Sequence, residues 1–375
     1  MTKAHSHPLE KILESRIAII DGAMGTTIRA YGMKEADIRG ERFKNSTKDL
    51  LNNGDLFSLT QPKMICDIHR RFLEAGADII ETNTFGATSI TQSEFFVDDP
   101  REHGGRKDPE FYQKIIDDPM LSNLACQINE QSARQCREWA DRVANATGRQ
   151  RFVAGAIGPL TVSLSNSPDA DDAGFRVVTF DQVRTAYKEQ VRALISGGVD
   201  LLLVETIFDS LNAKAALVAI REVFDEDGLA AKGPNQSNRE LPIMISAAVG
   251  RGGETLISAQ TTEAFWNAVK HVKPLSVGLN CSLGPDLMFP FLGELSEKAD
   301  VAISCYPNAG LPNPLSETGF DLGPDDMALR LGNFAREGLI NIAGGCCGNT
   351  PEHIAAIAKA LAGKAPRKLL SEVAA

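Results

Sequence analysis

The sequence predicts a single-domain (β/α)8 TIM barrel, in which eight parallel strands form a ring inside a layer of helices. Eight short apolar runs are continuous rather than alternating, as expected for strands that are buried on both faces. Helical patterns lie between most of these runs, so strand and helix alternate along the chain. An open, doubly wound sheet is the alternative architecture for such an alternation.

The predicted elements follow one another in a regular order. The strands span residues 16–20, 78–80, 151–156, 200–204, 242–248, 275–279, 301–304 and 339–343. The helical patterns span residues 62–75, 181–196, 211–223, 261–272, 287–298, 325–337 and 351–361. The last helix has a clear start signal, because Thr350 is a good N-cap residue and Pro351 suits the first helical position.

The chain is longer than such a barrel requires. A typical barrel takes about 250 residues, and the chain has 375. We therefore expect an N-terminal tail at 1–15, the barrel at 16–363 and a C-terminal tail at 364–375. The remaining surplus is assigned to extended connections, at residues 31–61, 95–118, 160–180 and 225–240.

Two of the predicted strand units resemble each other. Gly-x-Asp precedes the second and fourth strands at 76–78 and 198–200, and Glu-Thr follows them at 81–82 and 205–206. We interpret this similarity as one βα unit used twice rather than as a repeat array.

Composition excludes several classes of function. Lys and Arg number 39 against 49 Asp and Glu, and this acidic balance disfavours a nucleic-acid or anionic membrane partner. No apolar run approaches the roughly 20 residues of a membrane span, and the N-terminus lacks the apolar centre of a signal peptide. The seven cysteines are an odd number and include the adjacent pair Cys346 and Cys347, which indicates a reducing compartment. We expect a cytoplasmic protein.

Cysteines gather where a barrel enzyme would have its active site. Catalytic residues of barrels lie at the carboxyl ends of strands, and Cys281, Cys305, Cys346 and Cys347 follow or end the last three strands. Glycines beside Cys346 and Cys347 allow tight turns. Three thiolates with one open position are typical of a catalytic zinc site.

The other cysteines have a simpler interpretation. Cys66, Cys126 and Cys136 lie on helical patterns away from the strand ends, and we expect them, with Cys305, to fill core space. The six histidines all lie away from strand ends, so the sequence does not indicate a Ser-His-Asp or Cys-His nucleophile. It also lacks the common nucleotide-binding motifs.

Seven motifs together resemble a known family. They are Asp-Gly-Ala-Met-Gly-Thr at 21–26, Glu-Thr-Asn-Thr-Phe at 81–85, Gly-Ala-Ile-Gly-Pro at 155–159, Glu-Thr-Ile-Phe-Asp at 205–209, Asn-Cys-Ser-Leu-Gly-Pro at 280–285, Pro-Asn-Ala-Gly at 307–310 and Gly-Gly-Cys-Cys-Gly at 344–348. In order and content they are similar to the homocysteine-binding module of cobalamin-dependent methionine synthase. The resemblance extends from about residue 12 to about residue 363.

The resemblance implies a specific site. It implies zinc bound by Cys281, Cys346 and Cys347, with Asn308 as a possible fourth ligand when substrate is absent. It also implies that Asp21 and Glu205 bind the amino group of homocysteine, whose thiol would receive a methyl group to give methionine.

The methyl donor is the less determined part of this expectation. The chain lacks the folate and cobalamin modules of methionine synthase, so methylcobalamin would be carried by a separate chain or module. Betaine or S-methylmethionine is the alternative donor. Enzymes that use betaine have aromatic residues after the strand-four glutamate, whereas Thr206 and Ile207 follow it here. A non-catalytic protein that binds zinc or thiols is the alternative of another class.

Overall fold

The computed structural model describes residues 7–226, 240–316 and 319–370. Its eight strands are parallel and lie in one sheet: β1 (Ala18–Ile19), β2 (Ile79–Glu81), β3 (Phe152–Ile157), β4 (Leu201–Ile207), β5 (Ile243–Ala247), β6 (Ser276–Asn280), β7 (Ala302–Tyr306) and β8 (Ile342–Ala343). From β2 to β8 each strand pairs with the next along the chain, and β8 pairs with β1. One bridge, between Ile20 and Ile79, joins β1 to β2. The predicted (β/α)8 barrel is confirmed.

Helices surround this ring. They are α1 (Pro8–Ser15), α2 (Met24–Ala30), α3 (Glu35–Arg39), α4 (Phe57–Thr60), α5 (Pro62–Glu74), α6 (Ser89–Phe96), α7 (Pro109–Ile116), α8 (Pro119–Thr147), α9 (Phe180–Gly197), α10 (Ser210–Phe224), α11 (Thr262–Val269), α12 (Pro285–Lys298), α13 (Pro324–Arg336) and α14 (Pro351–Leu361). Every predicted helical pattern coincides with one of them. Short 3-10 turns occupy Gly54–Leu56, Pro100–His103 and Lys270–Val272. None of the described helices is long and apolar enough to cross a membrane.

Several segments expected to be extended connections contain helices. Residues 31–61 include α3 and α4, and residues 95–118 include α7. Most of the predicted connection at 225–240 lies outside the described residues. Of the predicted N-terminal tail, residues 8–15 form α1, whose Leu9 and Leu13 pack into the inner core with Phe152 and Leu201. This helix therefore closes the amino-terminal end of the barrel.

The aspartates of the two Gly-x-Asp units both connect neighbouring strands at the amino-terminal end of the barrel. Asp78 is fully buried, and its Oδ2 accepts a hydrogen bond from the backbone N–H of Ile19 on β1 (3.0 Å). Asp200 is equally buried and accepts from the N–H of Val153 on β3 (2.8 Å). Each carboxylate thus links its own strand to the preceding one.

Arginines compensate both of these buried charges. Asp78 forms ion pairs with Arg16 (2.7 Å), Arg149 (3.2 Å) and Arg151 (3.3 Å). Asp200 forms one with Arg137 (2.5 Å). Buried carboxylates are costly unless paired, and these two aspartates have their counter-charges within the chain.

Candidate active site

Three cysteines converge at the carboxyl ends of β6 and β8. Cys281 directly follows β6, and Cys346 and Cys347 follow β8 after two glycines. The three Sγ atoms all lie within 4.8 Å of one another, and those of Cys281 and Cys347 are 3.9 Å apart. The structure therefore brings together the three thiols for which the sequence predicts a metal site.

Backbone geometry turns Cys281 toward this cluster. Cys281 and Ser282 have φ values of 56° and 51°, in the left-handed region that few residues other than glycine adopt. The N–H of Cys281 donates to the carbonyl of Tyr306 (3.3 Å), and the Ser282 hydroxyl donates to the carbonyl of Val249 (2.7 Å). These contacts with the ends of β7 and β5 hold the strained turn in place.

The second part of the cluster depends on close backbone packing. A Cβ atom on Gly345 would lie 2.1 Å from the side chain of Asn349, so only glycine fits there. The N–H of Cys346 donates to the carbonyl of Pro307 (2.9 Å). The N–H of Cys347 donates to Oδ1 of Asn308 (3.2 Å), a buried side chain beside the cluster. Asn308 therefore contacts the backbone of one of the three cysteines, and its role as a ligand stays a prediction.

The thiols interact strongly with one another. Hydrogen bonds from Cys281 and Cys346 lower the pKa of the Cys347 thiol to about 3. The same kind of contact, with Cys281 first and then Cys347, raises the pKa of Cys346 well above its ordinary value. A cluster that favours one thiolate and resists further ionisation needs a cation before all three thiols lose their protons.

Buried carboxyl groups lie near this cluster. Asp21 follows β1 and Glu205 lies in β4; they are 2% and 4% exposed. Burial, and then the charge of Glu81, raises the pKa of Asp21 well above its ordinary value. Burial also raises that of Glu205, with added repulsion from Glu81, Cys281 and Asp21. Both predicted amine-binding residues thus lie at the thiol-bearing end of the barrel.

Glu81 is a third acidic residue of this site, and the sequence interpretation did not include it. It ends β2, and burial raises its pKa to about 8. Its backbone N–H donates to Oδ2 of Asp21 (3.1 Å). The signal was present in the sequence, because the Glu-Thr pair at 81–82 matches the one at 205–206.

Two buried polar atoms beside these carboxyl groups are available to a ligand. Oδ1 of Asp21 and the hydroxyl of Tyr306 are buried and make no hydrogen bond within the described part of the chain. The charges of Glu205 and Glu81 contribute to raising the pKa of Tyr306, after burial itself. Across the described ranges, Asp21, Glu81 and Glu205 form no ion pair. This end of the barrel is therefore suited to a cationic ligand.

The remaining cysteines lie elsewhere. Cys305 is fully buried, with its Sγ 3.6 Å from Sδ of Met288, and Cys136 is buried with its Sγ 3.2 Å from Nε2 of His69. Cys66 is half-buried on α5. Cys126 is exposed on α8, so the expectation that it fills core space is wrong: the helix turns this position toward solvent.

Fold and site together define a class of protein. It is a (β/α)8 barrel that gathers thiols and carboxyl groups at the carboxyl ends of its strands, which is where barrel enzymes carry out their chemistry. The sequence model of the homocysteine S-methyltransferase family matches residues 18–361. The chain belongs to this family.

Two solved structures have a similar fold. The metallated form of the homocysteine methyltransferase MmuM from Escherichia coli is 18% identical, with a TM-score of 0.64, over 94% of this chain and 99% of that one. The oxidised form of MmuM is also 18% identical, with a TM-score of 0.61 over 91% and 94%. At this identity the similarity concerns the fold.

Proposed function

We propose that this protein transfers a methyl group to the thiol of homocysteine and so forms methionine. The observation that carries the proposal is the pairing of two features at one end of the barrel. One is the cluster of Cys281, Cys346 and Cys347, and the other is the buried, uncompensated carboxyl groups of Asp21 and Glu205. Homocysteine has a thiol for the first and an ammonium group for the second.

The thiol cluster fits zinc. A tetrahedral ion with Zn–S bonds of about 2.3 Å places two sulfur ligands about 3.8 Å apart, close to the 3.9 Å between Cys281 and Cys347. Three cysteines leave one position for a substrate sulfur. When bound, zinc supplies a cation that keeps a substrate thiol deprotonated at neutral pH. Asn308 is the further proposed ligand in the absence of substrate.

The carboxyl groups bind and orient the other end of the substrate in this proposal. Asp21 and Glu205 would accept hydrogen bonds from the ammonium group, and Glu81 adds negative charge to the same region. Charge-assisted hydrogen bonds of this kind position a ligand as well as bind it. The sulfur would then lie at the cysteine cluster, held for attack on a methyl group.

For the donor we propose methylcobalamin, presented by a separate chain or module that also carries folate chemistry. Thr206 and Ile207 support this choice over betaine, because a betaine site would have aromatic residues there by family resemblance. Large apolar side chains after three strands, Phe85, Leu256 and Leu311, are 44%, 51% and 41% exposed. They would provide contact area for a bulky donor.

The donor assignment is tested by methionine formation from homocysteine. Methylcobalamin, betaine and S-methylmethionine are supplied separately at equal concentration to the zinc-loaded protein. We expect slow turnover with methylcobalamin, because a free donor lacks the millimolar effective concentration that tethering provides. Turnover with betaine alone would reject the cobalamin assignment, and no turnover with any donor would favour a non-catalytic thiol-binding protein.

The metal assignment has its own test. Cys346→Ala removes one of three sulfur ligands, so the variant should contain far less than one zinc per chain after dialysis. The fold should persist, because the barrel core consists of apolar side chains rather than of the three thiols. Metal analysis and circular dichroism measure the two outcomes, and Cys126→Ala, at an exposed position on α8, is the matched control. Full zinc content in Cys346→Ala would reject the site.

A further inference from the structure

A buried amide connects the thiol part of the site to the carboxyl part. Asn280 is the last residue of β6, immediately before Cys281, and its side chain is fully buried. Its Oδ1 accepts hydrogen bonds from the N–H of Thr206 (3.1 Å) and the hydroxyl of Ser246 (2.7 Å). Its Nδ2 donates to Oγ1 of Thr206 (2.8 Å). Thr206 directly follows Glu205. The Asn280 side chain therefore joins the residue before Cys281 to the residue after Glu205.

This connection passes across an intervening strand. β4 and β6 both pair with β5, and the pairing of β4 with β5 changes register between Val204 and Ile207. Thr206 lies in this irregularity with a φ of 53°, and Cys281 has a φ of 56°. Strained residues of this kind persist only where surrounding contacts hold them. The Asn280 side chain supplies those contacts for Thr206.

We infer that the hydrogen bonds between Asn280 and Thr206 fix the span from the Glu205 carboxyl group to the Cys281 thiol, and thereby select the length of the aminothiol that binds. The inference rests on the proposed function. A ligand that reaches both groups must have a matching number of carbon atoms between nitrogen and sulfur. Homocysteine has one methylene more than cysteine, and a fixed span distinguishes the two.

The geometry explains why Asn280 is a positioning residue rather than a catalytic one. Every polar atom of its side chain faces protein, and its partners lie on β4 and β5. A bulge can re-aim the side chain beside it, and bulges are frequent next to active sites. Without the amide, the Thr206 bulge can relax, and Glu205 then moves relative to the thiols.

Selectivity between two thiols tests the inference. Wild-type protein and the variants Asn280→Ala, Thr206→Val and Thr206→Ser are loaded with cobalt(II) in place of zinc. Dissociation constants for homocysteine and cysteine are measured from the change in visible absorption that accompanies thiol coordination. Thermal unfolding and metal content are measured in parallel, so the readout needs no methyl donor.

A matched control is available at the opposite end of the barrel. Asn341 is also a buried amide between strands: its Oδ1 accepts from the N–H of Ile303 (2.8 Å), and its Nδ2 donates to the carbonyl of Arg367 (2.8 Å). Asn341→Ala removes comparable hydrogen bonds far from the thiols. It should lower the unfolding temperature and leave the ratio of the two dissociation constants unchanged.

We expect the wild-type protein to prefer homocysteine. A single methylene is typically discriminated about 10- to 200-fold by a fixed site, so Asn280→Ala and Thr206→Val should reduce the preference by about 10-fold or more. Thr206→Ser keeps the hydroxyl and should retain it. Should Asn280→Ala fail to fold, Thr206→Val decides.

Two contrary results have different meanings. An unchanged preference in folded, metal-loaded Thr206→Val and Asn280→Ala overturns the positioning role alone. A wild-type cobalt protein that binds neither thiol overturns the proposed function, and the inference with it.

Discussion

At the scale of single residues, the site differs from the rest of the barrel in its unpaired charge. Burial raises the pKa values of Asp21, Glu81 and Glu205, and the charge of Glu81 adds to the shifts of Asp21 and Glu205. Elsewhere in the described barrel, Asp78 and Asp200 are just as buried but lie against arginines. Asp78 and Asp200 thus have arginine partners where they join strands, whereas Asp21 and Glu205 form no ion pair, within the described residues, at the end where a ligand would bind.

Removing one of these carboxylates should weaken substrate binding. Asp21→Asn or Glu205→Gln is expected to raise the KM for homocysteine about 10- to 1000-fold, because each removes a charge-assisted hydrogen bond and leaves the ammonium less well paired. Zinc content should stay at the wild-type level. Steady-state kinetics and metal analysis measure both.

Glu189→Gln is the control for charge alone. Glu189 is half-buried on α9, where its Oε1 accepts from the Ser122 hydroxyl (2.9 Å), away from the strand ends. Its KM should match that of the wild type. If Asp21→Asn and Glu205→Gln both retain the wild-type KM, the amine-binding assignment is wrong.

At the scale of elements, the turn after β2 is held by the segment that precedes it. Oδ2 of Asp55, in the 3-10 turn Gly54–Leu56, accepts from the N–H of Gly86 (2.9 Å). Nδ2 of Asn83 donates to the carbonyl of Gly54 (3.0 Å) and to the hydroxyl of Ser58 (3.0 Å). Residues between β1 and α5 therefore shape the end of β2, where Glu81 lies.

Asp55 should make the stability of this region depend on pH. Burial raises its pKa from 3.8 to about 7 in the folded protein, so the folded state retains a proton that the unfolded chain has lost. The resulting stabilisation is complete below about pH 4 and is lost as pH rises through 7. Asp55→Asn should therefore be more stable than wild type at pH 8, by on the order of 1–3 kcal/mol.

Urea denaturation at pH 5 and pH 8 measures this effect. The difference in the free energy of unfolding between the two pH values should be smaller in Asp55→Asn than in wild type. The exposed Asp98→Asn is the control and should behave as wild type. An equal pH dependence in Asp55→Asn and wild type would contradict the proposed ionisation.

The sequence predicted the strands and helices far better than the side-chain hydrogen bonds that connect them. The strand at 200–204 and the cysteines at 281, 346 and 347 could be identified because apolar runs and strand-end positions are local patterns. Glu81 and Asn280 were missed as site residues, since their roles depend on neighbours from other strands. Asn280, for example, contacts a residue 74 positions away, which no local pattern indicates.

At the scale of the whole molecule, the thiol-bearing end of the barrel makes stability depend on pH. In the folded state, burial raises the pKa of Glu81 from 4.5 to about 8, and Asp21 and Glu205 are also raised. Stability from Glu81 is present below about pH 4.5 and is lost as pH rises through 8, and Asp21 and Glu205 act in the same direction. A bound ammonium group opposes this loss, because it favours the carboxylates over the protonated acids.

Methionine binding should therefore release protons. Methionine carries the ammonium group without the thiol, so its binding reports on the carboxyl groups alone. Calorimetry at pH 7 in two buffers of different ionisation enthalpy should show net proton release and an affinity that rises between pH 6 and 8. Glu81→Gln should release fewer protons than wild type. Equal binding at pH 6 and 8, without proton release, would show that these acids do not face the ligand.

The arginine-compensated carboxylates at the closed end of the barrel have a consequence for redesign. Because Asp78 and Asp200 are paired with arginines of the same chain, that end needs no ligand to balance these two charges. The opposite end can then be rebuilt for other small molecules by exchanging the residues that follow the strands. A redesign for a new specificity would therefore vary Glu81 and Glu205, and would keep Asp78 and Asp200 together with their arginines.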